Sequence, residues 1–467
     1  MGKDRFIGRG KELAALEELW EEDSFQMLIL YGRRRVGKSR LLRKFLENKR
    51  SIYYMAVETS LEDNLRSFGD AVFKSLSMGD VAPEFRSFED AFSFLASNMG
   101  EERLAIVIDE FPYLATADKT ILSIMQRIID LTLKSKNVLL ILSGSSIRFM
   151  EEEVLGEKSP LFGRRTASID LQPFDYKDSA LFVPGYGCEQ KAIVYGVTGG
   201  VAKYLEQFDD KKSLDANIKR LYFSSSGYMV DEPVNLLRQE FRSIASYMSV
   251  IENMAKGATK MNEISQKTGM QTAALSKTLT NLMAVRMVSK FVPILNEKSK
   301  NQSGYVIEDS MFAFWYRFVL PARDAIEVGA GDVYYDTQVK PFLHDYMGSV
   351  FEKMCRHYTL VSGLSGSLNT IITTVGKWAG SDAQKKIPSD IDVVGINKTT
   401  KEAVIGECKF RNRKLSADDA ETCVDRARLI GKYNVKEILL FSLGGFAKGV
   451  GEIDPRIRLI GIDDMYE

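Results

Sequence analysis

Between residues 25 and 169, short apolar runs alternate with stretches of helical periodicity, the pattern of a parallel sheet flanked by helices. Strands are expected at 26–31, 51–56, 104–108, 138–143 and 167–171. From 175 to about 229 the spacing is mostly helical with a break at Gly199-Gly200, which reads as a helical lid. The stretch 232–321 runs helix, helix, turn, helix and then a polar hairpin at 291–307 with a hydrophilic tip at 296–303; a winged helix fits that order. After Pro321 a helix at about 341–357 precedes strands at 391–396 and 403–410, and a helix at 418–432 with strands at 437–442 and 457–462 closes the chain.

The pattern gives four segments, 1–172, 173–231, 232–321 and 322–467, in a chain whose 467 residues amount to about three domain-lengths. Lys+Arg and Asp+Glu both number 63, so any contact with nucleic acid must come from a local patch rather than from the whole molecule. Cys188, Cys355, Cys408 and Cys423 form no CxxC pair, which removes zinc ribbons and disulfide frameworks and fits a reducing cytoplasm. His344 and His357 are the only histidines, read as surface or packing residues, so most serine-histidine hydrolase mechanisms fall away. No apolar run reaches the roughly 18 to 20 residues of a membrane helix, and Phe6 stands where a myristoylated Gly2 wants Ser or Thr. A cytoplasmic protein with no membrane partner is expected.

Gly32-Arg33-Arg34-Arg35-Val36-Gly37-Lys38-Ser39 matches GxxxxGK[ST] completely, between an apolar strand and a helical run that Arg40 opens. Its glycines let backbone N–H groups curl around phosphate and the helix N-terminus adds partial positive charge. Lys38 reaches the β- and γ-phosphates and Ser39 ligates magnesium. The run 104–108 then delivers Asp109 and Glu110 at the carboxyl end of a strand, where open α/β sheets place their chemistry. Asp109 is expected on the magnesium and Glu110 on the attacking water. Ser143, ending another buried strand, is placed to sense the γ-phosphate. Arg164 and Arg165 are candidates for charge on the transferring phosphoryl group, in cis or across a subunit contact; the plain alternative pairs them with Asp170 or Glu157.

These motifs resemble the archaeal-type ATPases of the AAA+/STAND group of P-loop NTPases. Phe6-Ile7-Gly8-Arg9 with Glu12-Leu13 is similar to that group's N-terminal adenine-side box, and Asp109-Glu110-Phe111, Ser143-Gly144-Ser145, 160–165 and Thr198-Gly199-Gly200 stand in its order. Ala202 departs from the proline common after the glycine pair, while Tyr204-Leu205 are kept. The resemblance implies ATP with Mg2+, and a homo-oligomer or a protein partner is compatible with it.

In 261–270 a short helix ends at Gly269, and 272–285 follows as a recognition-type helix. Leu275, Leu279, Leu282 and Val285 mark its inner face, leaving Gln271, Ser276, Lys277, Thr280 and Asn281 outward for DNA or for a protein contact.

The runs 390–396 and 403–410 flank a polar turn and should pair as an antiparallel hairpin. A turn centred on Thr399-Thr400 sets Asp392 opposite Glu407 and Asp390 opposite Lys409, about 4.5 to 5.5 Å apart on one face. Ile391, Val393, Cys408 and Phe410 then share the other face. Three acids beside one lysine can hold magnesium or manganese: Asp392 and Glu407 as ligands, Lys409 positioning the water. This arrangement resembles the PD-(D/E)XK restriction-endonuclease-like fold, whose upstream acid Glu352 matches. Archaeal-type ATPases often end in a domain of unknown function with such a core, and the aromatic segment 312–318 looks like its entry.

The expected fold is a multidomain α/β protein: an AAA+-like P-loop core with helical lid, a winged helix and a restriction-endonuclease-like C-terminal domain. The expected function is ATP binding and hydrolysis controlling a metal-dependent, nuclease-like domain that acts on DNA. The competing reading is an ATP-dependent signalling switch whose C-terminal domain binds DNA or protein without cutting.

Overall fold

Strands β1 (Gln26–Tyr31), β2 (Ser51–Met55), β3 (Leu104–Asp109), β4 (Val138–Gly144) and β5 (Ala167–Asp170) form one all-parallel sheet in the order β2-β3-β4-β1-β5. The computed structural model describes residues 6–80, 84–295, 303–382 and 384–467. Continuous apolar runs are what a sheet covered on both faces requires. Successive residues serve opposite cores: Ile29, Ile106, Ile108, Leu140 and Leu142 pack with Phe68, Phe92 and Met125. Leu28, Leu30, Val107, Leu139 and Ile141 pack with Leu16, Leu41 and Phe45.

The chain divides into two units, Met1–Phe174 with Val201–Glu206, and Asp175–Gly200 with Gln207–Glu467. The lid segment is helical, with Tyr176–Ala180, Cys188–Thr198, Ala202–Leu205 and Leu214–Tyr222, and of these only Ala202–Leu205 belongs to the first unit.

In the second unit, helices Ala245–Ala255, Met261–Thr268 and Thr272–Ala284 lead into a two-stranded antiparallel hairpin, β6 (Val288–Phe291) and β7 (Gly304–Ile307). Gly269 ends the middle helix at φ 70, and Leu275, Leu279 and Leu282 are fully buried. Nearly all of the expected hydrophilic tip, 296–302, lies outside the described residues, as do Arg5 and the residues before it. The aromatic segment 312–318 is core: the buried Trp315 donates its indole N–H to the Val230 carbonyl at 2.8 Å, and Phe314 meets Tyr222 edge-on at 5.0 Å.

A second five-stranded sheet carries β8 (Thr374–Asp382), β9 (Ile387–Asn397), β10 (Glu402–Lys409), β11 (Asn434–Ser442) and β12 (Ile457–Gly461) in the order β12-β11-β10-β9-β8. Rings of the long helix Leu343–Leu364 cover one face, with Phe351 against Phe410 and Tyr358 against Phe441. Helix Ala417–Arg426 contributes Ala420 and Cys423 to the core that holds Ile405, Ile438 and Leu440. Asn397 sets the β9–β10 turn, its Oδ1 accepting from the N–H groups of Thr399 and Thr400. The resulting register pairs Asn397 with Glu402 and Val393 with Gly406.

Two sequence expectations fail just beyond that point. The ladder stops at Val393–Gly406, so Asp392 and Glu407 are not a paired rung, and Asp390 pairs with Ala379 of β8 rather than with Lys409. The cause is an irregularity between Gly376 and Trp378, where β8 advances from the partner of Val394 to the partner of Ile391 with one residue fewer than β9. Such a bulge bends the strand and re-aims its side chains. Ile391 therefore joins Val394 and Ile396 in one core and does not share a face with Val393. Asp392 fills the broken rung itself, its Oδ2 accepting from the Cys408 backbone N–H at 3.1 Å.

Candidate functional site

The carboxyl ends of the adjacent strands β3, β4 and β1 bring the nucleotide candidates together in the first unit. Helix Lys38–Phe45 starts immediately after Gly37, whose φ of 104 only glycine adopts without strain. A Cβ on Gly32 would lie 2.4 Å from the Leu171 carbonyl oxygen, so the loop depends on a bare backbone there as well. Lys38 is 5% exposed and its Nζ donates to the carbonyls of Gly32 at 2.9 Å and Arg33 at 3.1 Å. The loop thus holds a buried ammonium on weak neutral acceptors, which phosphate oxygens can replace at a gain. Arg9 steadies the loop from outside, donating to the Val36 carbonyl at 3.0 Å and lying 3.9 Å from the centre of the Phe174 ring. Arg34 donates to the Tyr113 hydroxyl at 3.3 Å, and Arg40 pairs with Glu206.

Asp109 is fully buried, and its Oδ2 accepts from the Ser39 hydroxyl at 2.7 Å and the Tyr53 hydroxyl at 2.5 Å. One hydroxyl and one carboxylate oxygen already in contact are the donor pair that fits a magnesium ion beside phosphate. Burial, then the Asp109 charge, pushes the Tyr53 hydroxyl above its ordinary pKa, keeping it a donor. Glu110 sits at φ 52, and its Oε2 accepts from Ser145 through both the hydroxyl at 2.7 Å and the backbone N–H at 3.2 Å. Ser143 is fully buried, and its Oγ has no hydrogen-bond partner among the described residues. A buried hydroxyl without a partner costs stability, so a site that leaves one open is arranged for a ligand.

Arg164 is committed elsewhere: it grips Asp130 through two bonds, at 2.6 and 3.0 Å, and the Pro160 carbonyl at 2.8 Å. That pairing replaces both Asp170 and Glu157 as its expected partner. Arg165 is exposed.

At the C-terminal sheet the acids are interleaved with cations. Lys377 of β8 places its Nζ 3.1 Å from Asp390, 3.3 Å from Glu352 and 3.4 Å from Asp392. Arg356 donates to Glu352 at 3.2 Å and to the Asp392 carbonyl at 2.9 Å. Glu407 is bound by Lys409 and, at 3.0 Å, by Arg426. Burial pulls the Lys377 ammonium down, and the charges of Glu352, Asp392 and Asp390 more than reverse it, leaving its pKa above the ordinary lysine value. Burial, then Asp392, pushes the Glu407 carboxyl above the usual glutamate range against the pull of Lys409 and Arg426. Among the described residues no group of three or more His, Cys, Asp or Glu side chains is disposed to hold a metal ion. The donor set Glu352, Asp392 and Glu407 does not fit a divalent ion in this arrangement, because Lys377 already occupies the space between Glu352 and Asp392 as their cation.

A model of an ATPase domain predominantly from Archaea matches residues 6–208, and a second model, of archaeal and bacterial proteins of unknown function, matches 315–423. The uncharacterized protein MJECL04 of Methanocaldococcus jannaschii is 33% identical over 413 residues, covering 88% of each chain. The chain belongs to this archaeal ATPase family. An uncharacterized ATP-binding protein of the same organism, MJ0423, is 56% identical over 45 residues, 10% of this chain and 76% of its own. Among solved structures, a Walker-type ATPase of Pyrococcus abyssi aligns with a TM-score of 0.51 at 20% identity over 67% of this chain and 96% of its own, a likeness of fold.

The archaeal ATPase is thus an ATP-hydrolysing α/β P-loop protein with a separate C-terminal sheet domain. No helix among its described residues is long and apolar enough to cross a membrane. Two site residues, Tyr53 and Lys377, escaped sequence reasoning, and Ser145 was read only as part of the Ser143-Gly144-Ser145 motif, without a role of its own. Tyr53 and Ser145 act through neighbours brought in by the parallel ladder, where Met55 pairs with Asp109. Lys377 sits on an edge strand whose glycines hide its alternation.

Replacing Lys377 by methionine keeps the stem and removes the charge facing three carboxylates. The expected cost is about 1 to 3 kcal/mol, since Asp392 and Glu352 are left with uncompensated charge in a half-buried cluster while solvent screens the more exposed Asp390. Thermal unfolding of the full chain should show a midpoint several degrees lower. An unchanged midpoint would mean that Lys377 does not hold these acids.

Proposed function

We propose that this ATPase is an ATP-driven switch that binds nucleic acid and does not cut it. The backbone of Gly32 to Lys38 would cradle the phosphates with Lys38 on the β- and γ-phosphates, and Ser39 with Asp109 would hold magnesium. The ion would neutralise charge developing on the phosphates as the bond to the γ-phosphoryl group breaks. Ser143 is placed to donate its open hydroxyl to the γ-phosphate. Glu110 would polarise the attacking water after leaving Ser145.

The three helices and hairpin between 245 and 307 read as a winged helix whose exposed Ser276, Lys277 and Thr280 face a nucleic-acid partner, while Asn281, expected outward, is turned inward and donates to the Tyr247 hydroxyl at 2.8 Å. The C-terminal sheet reads as a restriction-endonuclease-like fold turned to holding rather than hydrolysis. The observation that carries this choice is Lys377, whose ammonium lies within 3.4 Å of Glu352, Asp390 and Asp392, where a nuclease needs an open cation site. The intact Asp392, Glu407 and Lys409 set favours the cleaving alternative. Incubation of linear, supercoiled and branched DNA with magnesium or manganese, with and without ATP, separates the two. The expected result is intact DNA throughout; metal-dependent cleavage that Asp392→Ala abolishes would establish the nuclease instead.

A further inference from the structure

Hairpin β6–β7, the long helix Leu343–Leu364 and edge strand β8 enclose a cleft of about 860 Å3, all of it within the second unit. The hairpin is fixed against the sheet. Ile294, just past β6, donates its backbone N–H to the Lys377 carbonyl at 2.9 Å, and its side chain lies where a Cβ on Gly376 would be 3.1 Å away. The same contact covers part of the free edge of β8, which would otherwise expose unpaired backbone groups.

The walls of this cleft have the chemistry of a strand-binding groove. On the hairpin, Lys290 pairs with Tyr305, so this cation and this ring share one face, while Phe291, paired with Gly304, lies on the other. Lys290 is exposed and both rings are half-buried. Across the cleft, Lys353 and Arg356 stand one turn apart on the long helix, Lys353 paired with Glu308 at 3.1 Å and Arg356 with Glu352 at 3.2 Å. Basic lining residues outnumber acidic ones five to three. At the floor, Lys377 neutralises Glu352 and Asp390, which would otherwise repel a phosphate.

We propose that this cleft takes a single nucleic-acid strand, with a phosphate on Lys290, a base stacked on Tyr305 beside it, and Lys353 and Arg356 exchanging Glu308 and Glu352 for further phosphates. The proposal rests on the nucleic-acid reading above and narrows it to one strand and one site. The volume lies within the roughly 300 to 1,000 Å3 of enclosed ligand sites, enough for a few nucleotides. Stacking on rings is tolerant of base identity, so the preference is for strandedness rather than sequence.

The test is fluorescence anisotropy of the full chain with a labelled twelve-nucleotide oligo(dT) and with a duplex of equal length, in EDTA so that nothing is cut. Wild type should prefer the single strand. Tyr305→Ala should weaken oligo(dT) binding about tenfold. Lys290→Ala, at an exposed position that leaves folding intact, should lower the slope of log affinity against log salt by about 0.7. Lys398→Ala, at an exposed position in the β9–β10 turn outside the cleft, should change neither, and ATP turnover should be unaffected in all three variants. Binding of oligo(dT) that ignores both Lys290→Ala and Tyr305→Ala, or a duplex preference lost in Lys277→Ala, would overturn the cleft and leave the nucleic-acid reading standing. Failure of wild type to bind either probe would overturn both.

Discussion

Lys38→Ala should lower ATP turnover by at least about a hundredfold and abolish detectable ATP binding. The ammonium is 5% exposed, and two backbone carbonyls hold it inside the loop. Moving from neutral carbonyl oxygens to charged phosphate oxygens in a dry site gains a charge-assisted contact. Loss of one such preorganised donor costs about 2.7 to 4 kcal/mol in comparable sites. Both ground-state binding and the transition state lose it, so binding and rate should fall together. Radiolabelled phosphate release and equilibrium nucleotide binding on the purified chain check this, and turnover within a few-fold of wild type would remove Lys38 from the phosphate site.

Glu110→Gln should separate the two effects. Glutamine keeps an oxygen that accepts from the Ser145 hydroxyl and N–H, so the left-handed turn at φ 52 and the end of β3 retain their support. What disappears is the carboxylate that can take a proton from water, a contribution of about 10² to 10⁴ in rate. ATP should bind with near wild-type affinity while turnover falls by that factor. Full turnover in Glu110→Gln would mean that another group polarises the water. If turnover of the wild type is limited by the grip of Ser145 on Glu110, Ser145→Ala should raise it.

The first unit was largely legible in the chain because its information is local. Buried parallel strands read as apolar runs, and the strands expected at 26–31, 51–56, 104–108, 138–143 and 167–171 lie within a residue or so of β1 to β5. The β9–β10 register was legible too, since Asn397 fixes the turn and period two does the rest. What failed was everything that depends on a third strand. β8 reads Thr-Val-Gly-Lys-Trp-Ala-Gly-Ser-Asp, an edge strand with two glycines and little apolar content, so nothing announced it. With it were lost the bulge that re-aims Asp392 and the lysine placed among the acids. Tyr53 was similarly silent: one of two successive tyrosines on β2, it matters only because Asp109 lies within 2.5 Å.

The central claim is that ATP at the P-loop sets the affinity for nucleic acid. Its most direct test is oligo(dT) and duplex affinity of wild type, Lys38→Ala and Glu110→Gln, each with and without saturating ATP and magnesium. Coupling of the usual size predicts a shift of about 5- to 150-fold in wild type, at least as large a shift in Glu110→Gln, and none in Lys38→Ala. Equal affinity with and without ATP in both wild type and Glu110→Gln would contradict the account.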